Sequence, residues 1–261
     1  MKILGIETSC DETAAAIVSS KKEIIANRVF SQHEFHSPYM GIVPEIAARN
    51  HLEKIDSVIL SALKEGNVSF KDIDAVAVTA GPGLTGGLLV GLMTAKIISL
   101  LSNITFVAVN HLEAHALTAR LTNNIEFPYL LVLLSGGHSE FIIVRDVGNY
   151  KKIGGTIDDA VGEAFDKTAR LLGLQFPGGP ALEKSAKSGN PKKFQFPRPL
   201  TDKDNVDLSL AGLKTAVWKL AENNSPLNES IVSDIAASFQ QAVVDILKNK
   251  IIKALKIFRA E

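Results

Sequence analysis

Residues 111–115 read HLEAH, two histidines four positions apart, directly after the strand-like run Phe106 to Val109. An α-helix turns about 100° per residue, so His111 and His115 share one face and can offer both imidazoles to a single cation. The glutamate stands third in the pentapeptide rather than second, which separates it from the zinc-protease motif H-E-x-x-H and its metal-side base. Zinc and iron ordinarily take at least three protein ligands, and no other segment supplies an obvious third. On spacing alone, a metal site and a pair of surface or packed histidines stand level.

Two strand–turn–strand stretches are placed to position such a site. ILGIETSCDETAAAIVSS gives a strand over Ile3 to Thr8, a polar turn carrying Asp11 and Glu12, and a second strand over Ala14 to Ser19. YLLVLLSGGHSEFIIVR repeats the plan with a strand over Tyr129 to Leu134, a Ser135-Gly136-Gly137-His138 turn, and a strand over Glu140 to Arg145. The match is one of pattern, and it predicts two similarly built α/β halves whose turns face a shared cleft. The polar run Leu121 to Glu126, followed by Phe127-Pro128, marks the boundary, giving halves of 1–125 and 126–261.

Between the hairpins, periodicity predicts a helix over Val43 to Lys64, a short strand over Ala75 to Thr79 and a helix over Gly86 to Ser99. The joining loop TAGPGLTGG, residues 79–87, has the glycines and helix N-terminus of an anion cradle but lacks the Walker pattern, and a tight turn under packing restraint is favoured. In the second half a helix is expected to start at Ile157, with Asp158, Asp159 and Glu163 as charges complementing its dipole. Asp166 falls mid-helix and is expected to face the cleft. PGGP at 177–180 breaks the chain before another helix, and Ser230 to Arg259 reads as one or two amphipathic helices. Lys184 to Arg198 holds five basic residues, no acids and two phenylalanines; such a loop can grip a phosphate backbone while its aromatics stack on bases, although a solvated loop is the commoner arrangement.

The whole chain sets bounds. At 261 residues and 46% hydrophobic it is long enough for one large or two modest cores. Basic and acidic residues number 28 each, so no global field draws it to nucleic acid or an anionic membrane, and a polyanion must be met locally. Cys10 is the only cysteine, which excludes an internal disulfide and fits a reducing compartment. Its neighbours Asp11 and Glu12 would raise a thiol pKa, a structural rather than a reactive setting. No signal peptide is expected, and the apolar stretch Leu88 to Leu101, interrupted by Lys96, is not expected to span a membrane; a cytoplasmic location is the expectation.

IETSCDETAAAI, PYMGIVPEIAARNH, GPGLTGGLLVG, HLEAH, LLSGGHSEF, DDAVGEAFDKTARLLGL and FPGGP occur in one order along the chain. The series resembles the TsaD family, the tRNA threonylcarbamoyladenosine transferases, from Ile3 to the last residues. The resemblance implies the α/β fold shared by actin, the heat-shock ATPases and the sugar kinases (ASKHA). It also implies an acyltransferase that moves the threonylcarbamoyl group from threonylcarbamoyl-AMP to the exocyclic amine of the adenine 3′ of the anticodon, in tRNAs reading codons that begin with A. His111 and His115 then match the metal ligands, for one divalent ion, iron (Fe2+) ahead of zinc. Leu134, Ser135, Gly136, Gly137 and His138 match the substrate-binding hairpin, Asp166 and Gly179 two further substrate contacts, and Asp11 and Glu12 the acidic turn. Partners implied are tRNA and other protein subunits of a tRNA-modification complex, with no membrane.

Departures from the family pattern are also visible. Family members usually carry glycine where Met40 and Ala114 stand. They also continue past Arg259-Ala260-Glu261 into a strand, an adenosine-holding turn and an Asp-Asn-Gly segment with the third metal ligand, so the sequence reads either as a fragment or as a C-terminally shortened member. Two alternatives accompany the transferase: a non-catalytic partner module of the same assembly, and a small-molecule kinase on the same fold. The kinase is disfavoured because SCDET stands where such enzymes carry Asp-x-Gly-Thr. Because an amine in a stacked base is hard to reach, the target adenine is expected to be splayed into the cleft.

Overall fold

The computed structural model describes Met1 to Ala260. It divides into two compact units, Met1–Ile125 and Glu126–Glu261.

In the first unit, strands β1 (Lys2–Glu7), β2 (Glu12–Ser19), β3 (Ile24–Ser31), β4 (Ala75–Gly81) and β5 (Thr105–Asn110) form one sheet in the order β3-β2-β1-β4-β5. β1, β2 and β3 are an antiparallel meander; β4 and β5 join β1's other side in parallel. Side chains alternate across a strand, and here the alternation sorts them by size and polarity. Leu4, Ile6, Ala15, Ile17, Val76 and Val78 are buried on one face under the helices α2 (Pro44–Glu65) and α3 (Thr85–Ser102). Gly5, Glu7, Ala14, Ala16, Ala77 and Thr79 point to the other face, over which helix α4 (His111–Thr122) lies, leaving a hollow of about 390 Å³. That small-residue face makes room beside the two histidines.

The loop 79–87 is governed by packing. A Cβ on Gly87 would stand 2.4 Å from the Thr8 carbonyl oxygen, and one on Gly91 would stand 2.3 Å from the Thr8 hydroxyl oxygen. Thr8, fully buried, donates its hydroxyl to the Gly87 carbonyl at 2.8 Å. Only glycine lets α3 approach the end of β1 this closely. Met40 has φ 53° and ψ 34°, the left-handed region that costs a side-chain-bearing residue about 1–2 kcal/mol. The short helix α1 (His33–His36) precedes it.

In the second unit, β6 (Tyr129–Leu134), β7 (Ser139–Asp146) and β8 (Asn149–Gly155) form an antiparallel meander with the same strand succession as β1 to β3. Helices α5 (Val161–Leu171), α6 (Gly178–Ala186), α7 (Ala211–Asn223) and α8 (Glu229–Ala260) build the rest around a core that includes Phe141, Leu182, Leu213, Phe239 and Ile246. Phe165 of α5 meets Phe239 of α8 edge-on, with centroids 5.2 Å apart.

Three expectations are corrected. The acid-rich helix starts at Val161, not Ile157, and Asp158 and Asp159 precede it. Asp158 takes the Ser209 hydroxyl at 2.6 Å and the Leu210 amide at 2.8 Å, so it caps α7 instead of its own helix. Asp159 joins Lys167 at 2.6 Å and Lys214 at 2.5 Å, while Glu163 pairs with Lys167 one turn on. The phenylalanines of the basic stretch are not offered for stacking, because Phe196 is buried and Phe194 packs against the same core; Arg198 is committed to Asp245 at 2.8 Å. By length and composition, α3 and α8 would each suffice to cross a membrane. α8 is instead a core helix of its unit: Lys250, wholly buried within it, donates to the carbonyls of Leu200 and Asn205 at 2.7 and 2.8 Å.

Candidate functional site

Asn110 opens α4 by accepting the amides of Leu112 and Glu113 on its side-chain oxygen, at 2.9 and 3.1 Å. This N-cap fixes where the helix begins and sets His111 at its first position, with His115 one turn later. Their Nε2 atoms stand 3.2 Å apart and their rings meet edge-on, with centroids at 4.6 Å. On its far side His111 Nδ1 faces the Ser9 hydroxyl at 3.3 Å and Glu7 Oε2 at 3.4 Å. A carboxylate only accepts, so the ring proton belongs on Nδ1 and the Nε2 lone pair points toward His115.

Glu7 is itself constrained: it accepts the Ser9 amide and the Thr79 hydroxyl. Burial pushes its carboxyl up, but those hydrogen bonds and the nearby His111 outweigh it and hold the group below the usual carboxylate range. Two nitrogens each about 2.1 Å from one ion stand about 3.0 Å apart at an octahedral angle and about 3.4 Å apart at a tetrahedral one. The observed 3.2 Å lies between them. A histidine whose second nitrogen faces a carboxylate is also the usual outer shell of a metal ligand. The two imidazoles are therefore spaced as two ligands of one divalent ion would be, short of the three or more protein ligands such an ion ordinarily takes; among the described residues no cluster of three or more His, Cys, Asp or Glu side chains forms.

The acidic turn follows β1. Burial, then the Asp11 charge, pushes the Cys10 thiol up to about 12, in line with the structural role expected for it. Burial and the charges of Asp11 and Glu7 likewise raise Glu12. The turn is held from behind by residues that sequence reasoning did not single out. His51 of α2, wholly buried, bonds through Nε2 to the Cys10 carbonyl at 3.0 Å and through Nδ1 to the Thr13 hydroxyl at 2.8 Å and Gln32 Nε2 at 3.3 Å. Gln32 Oε1 in turn meets His36 Nε2 at 3.3 Å. Burial lowers both imidazoles, so each is neutral at neutral pH.

In the second unit, Ser135 and His138 close the β6–β7 turn. The Ser135 amide donates to the His138 carbonyl at 2.8 Å, and the His138 amide to the Ser135 hydroxyl at 3.0 Å. Leu134, the last residue of β6, is exposed. A Cβ on Gly136 or Gly137 would meet nothing within 4 Å, so packing inside the unit does not demand glycine there. Behind the turn, the Gly162 amide of α5 donates to the Ser135 carbonyl at 3.1 Å. Asp166, midway along α5, accepts the Gly178 amide at 2.8 Å. Gly178 is packed so closely that a Cβ would fall 2.5 Å from the Asp166 Cα, whereas one on Gly179 would meet nothing. The structure thus joins Ser135 to His138 as one turn and ties Asp166 to the start of α6 beside Gly179.

Of solved structures, the Acidaminococcus fermentans (R)-2-hydroxyglutaryl-CoA dehydratase component A overlays 95% of this chain and 78% of its own at a TM-score of 0.52 and 16% identity. The Clostridium difficile activator of 2-hydroxyisocaproyl-CoA dehydratase overlays 95% and 73% at 0.50 and 14%. These likenesses, with the two meander-based sheets, define the fold class as that of actin, the heat-shock ATPases and the sugar kinases. The family model described as TsaD, tRNA N6-adenosine threonylcarbamoyltransferase, matches residues 23–261. The chain is 57% identical over 262 residues to the tRNA N6-adenosine threonylcarbamoyltransferase of Bartonella tribocorum, covering 99% of this chain and 72% of that protein. It is 56% identical to the one of Brucella anthropi, covering 100% and 74%. The chain belongs to the TsaD family.

Proposed function

We propose that this chain is a tRNA N6-adenosine threonylcarbamoyltransferase. It moves the threonylcarbamoyl group from threonylcarbamoyl-AMP to the exocyclic amine of the adenine 3′ of the anticodon, in tRNAs reading codons that begin with A. One observation carries the reading, the 57% identity across 99% of the chain to a relative of that name. The relatives' names give no comparable support to a kinase or to a non-catalytic module.

In the reaction the adenine amine attacks the carbamoyl carbon, a C–N bond forms, the carbon–oxygen bond to phosphate breaks, and AMP leaves with that electron pair while the amine loses a proton. His111 and His115 would hold one divalent ion, iron ahead of zinc, and its bound form supplies a Lewis acid for the carbonyl. Glu7 and Ser9 orient His111 so that Nε2 keeps its lone pair. The Ser135–His138 turn, with no side chain above Gly136 and Gly137, offers backbone amides to the phosphate of the adenylate. Asp166 and Gly179 provide the further substrate contacts. Asp11 and Glu12 are the carboxylates offered for the amine's proton, and the raised Glu12 suits a group that must both take and release one.

Cytoplasmic work with other protein subunits completes the proposal; the exposed row Leu89, Met93, Ile97, Leu100 and Leu101 on α3 gives a protein partner apolar surface. The test is incubation of the chain, alone and with the partner subunits of a relative, with tRNA and threonylcarbamoyl-AMP, followed by mass analysis of the digested tRNA. Modified adenosine that is lost in both histidine variants supports the reading; unmodified tRNA in every combination overturns it.

A further inference from the structure

We infer that the groove between α5 and α7 in the second unit is a docking site for an unpaired nucleotide of tRNA, with its base on Trp218 and its phosphate on Arg170 and Lys214. The inference rests on the proposed function for the identity of the RNA.

The groove holds about 320 Å³ and is lined by Lys167, Arg170, Leu171, Lys214, Thr215 and Trp218. That lining contains three cations and no carboxylate among the described residues. The cations differ in commitment. Lys167 and Lys214 share Asp159, which sits behind them with a side chain only 13% exposed and holds their ammonium groups side by side. Glu163 offsets Lys167 further from the outer edge. The guanidinium of Arg170 has no hydrogen bond or ion pair among the described residues. It is the residue type that grips a phosphate in two-pronged fashion.

Trp218 is 47% exposed although an indole is among the costliest side chains to leave in water, and its ring N–H has no partner among the described residues. It stands four residues after Lys214 on α7, so the two share a helix face. A flat aromatic beside fixed and free cations is the arrangement that binds single-stranded nucleic acid, the ring stacking on a base while cations meet the backbone. With equal numbers of basic and acidic residues overall, the chain must meet a polyanion at such local points. The basic stretch 184–198 is a poorer candidate, because its aromatics serve the core.

Trp218 is the only tryptophan, so its emission reports on this groove alone. The full chain would be titrated with a dye-labelled tRNA, following RNA anisotropy and Trp218 fluorescence together, and then with AMP. The inference expects tRNA to quench Trp218 with the same midpoint as the anisotropy change. It expects Trp218→Ala to weaken binding at least about fivefold and Arg170→Gln to flatten the salt dependence by about 0.7–0.9 in log–log slope, both with unchanged thermal stability. Binding of tRNA without quenching, and with both variants at parental affinity, overturns the groove while leaving the transferase reading to its own assay. Quenching by AMP but not by tRNA overturns it in favour of a free nucleotide. Absence of any tRNA binding overturns it too, and adenosine modification then decides the transferase reading separately.

Discussion

The Nε2 atoms of His111 and His115 face each other at 3.2 Å, while the other nitrogen of His111 is turned to Glu7 and Ser9. One ring is therefore oriented from behind and both converge in front. Elemental analysis of the purified chain should find a divalent ion whose content falls at least tenfold in His111→Ala and in His115→Ala. In Glu7→Gln the ion should be retained but held about 10–100-fold more weakly. An ion content unchanged in both histidine variants would remove the pair from the metal site.

The glycines at the start of α6 should separate by consequence. Gly178→Ala places a methyl 2.5 Å from backbone and should lower unfolding free energy by about 1–3 kcal/mol. Gly179→Ala and Gly137→Ala add a methyl to open space, so stability should stay within about 1 kcal/mol of the parent while transfer activity falls. Denaturant titration beside an activity assay checks both halves; full activity in Gly179→Ala and Gly137→Ala would deny those positions a ligand role.

Asp159 gives a pH dependence with a definite sign. Burial pushes its carboxyl up, but hydrogen bonds and charge from Lys167 and Lys214 win, and it lies below the ordinary 3.8. A carboxyl depressed on folding contributes stability that is full above its unfolded pKa and is lost as pH falls through the folded one. Asp159→Asn should thus be about 1–2 kcal/mol less stable at pH 7, the half-exposed lysines moderating the loss. The difference should shrink steadily below about pH 4. Urea midpoints from pH 3 to 7 measure it, and a pH-independent difference would contradict the ion pair as its source.

With its thiol near 12 instead of 9.0, Cys10 carries about a thousandfold less thiolate at pH 8 than an ordinary cysteine. Iodoacetamide should label the folded chain slowly and the urea-unfolded chain readily, and Cys10→Ser should keep transfer activity. Fast labelling of the folded chain would contradict the burial.

Both hairpins were legible because each alternates apolar and polar residues on either side of small polar turn letters, and β6 runs from Tyr129 to Leu134 as its sequence suggests. The edge strands β3 and β8 were not: IIANRVFS and NYKKIGG leave most side chains exposed or half-exposed, so no apolar stripe marks them. The start of α5 is not legible because Asp158 is engaged by Ser209 and Leu210, about fifty residues away, and Asp159 divides itself between Lys214 and Lys167, so these two acids precede the helix instead of opening it. HLEAH announced itself through one helical turn, a local property. His36, Gln32 and His51 could not, since their role exists only once α2 has folded across the β1–β2 turn.

Taken in order, the bonds behind that turn run in a single sense. The Val43 amide donates to His36 Nδ1, His36 Nε2 to Gln32 Oε1, Gln32 Nε2 to His51 Nδ1, and His51 Nε2 to the Cys10 carbonyl. Each link polarises the next, so the series acts as a one-way circuit from the start of α2 to the acidic turn. Adding a proton to either imidazole would set donor against donor at one junction and break the circuit as a whole. The backbone that carries Asp11 and Glu12 is therefore wired to two neutral histidines well removed from it in sequence, and its placement is a cooperative property of three side chains and two backbone groups rather than of the turn itself.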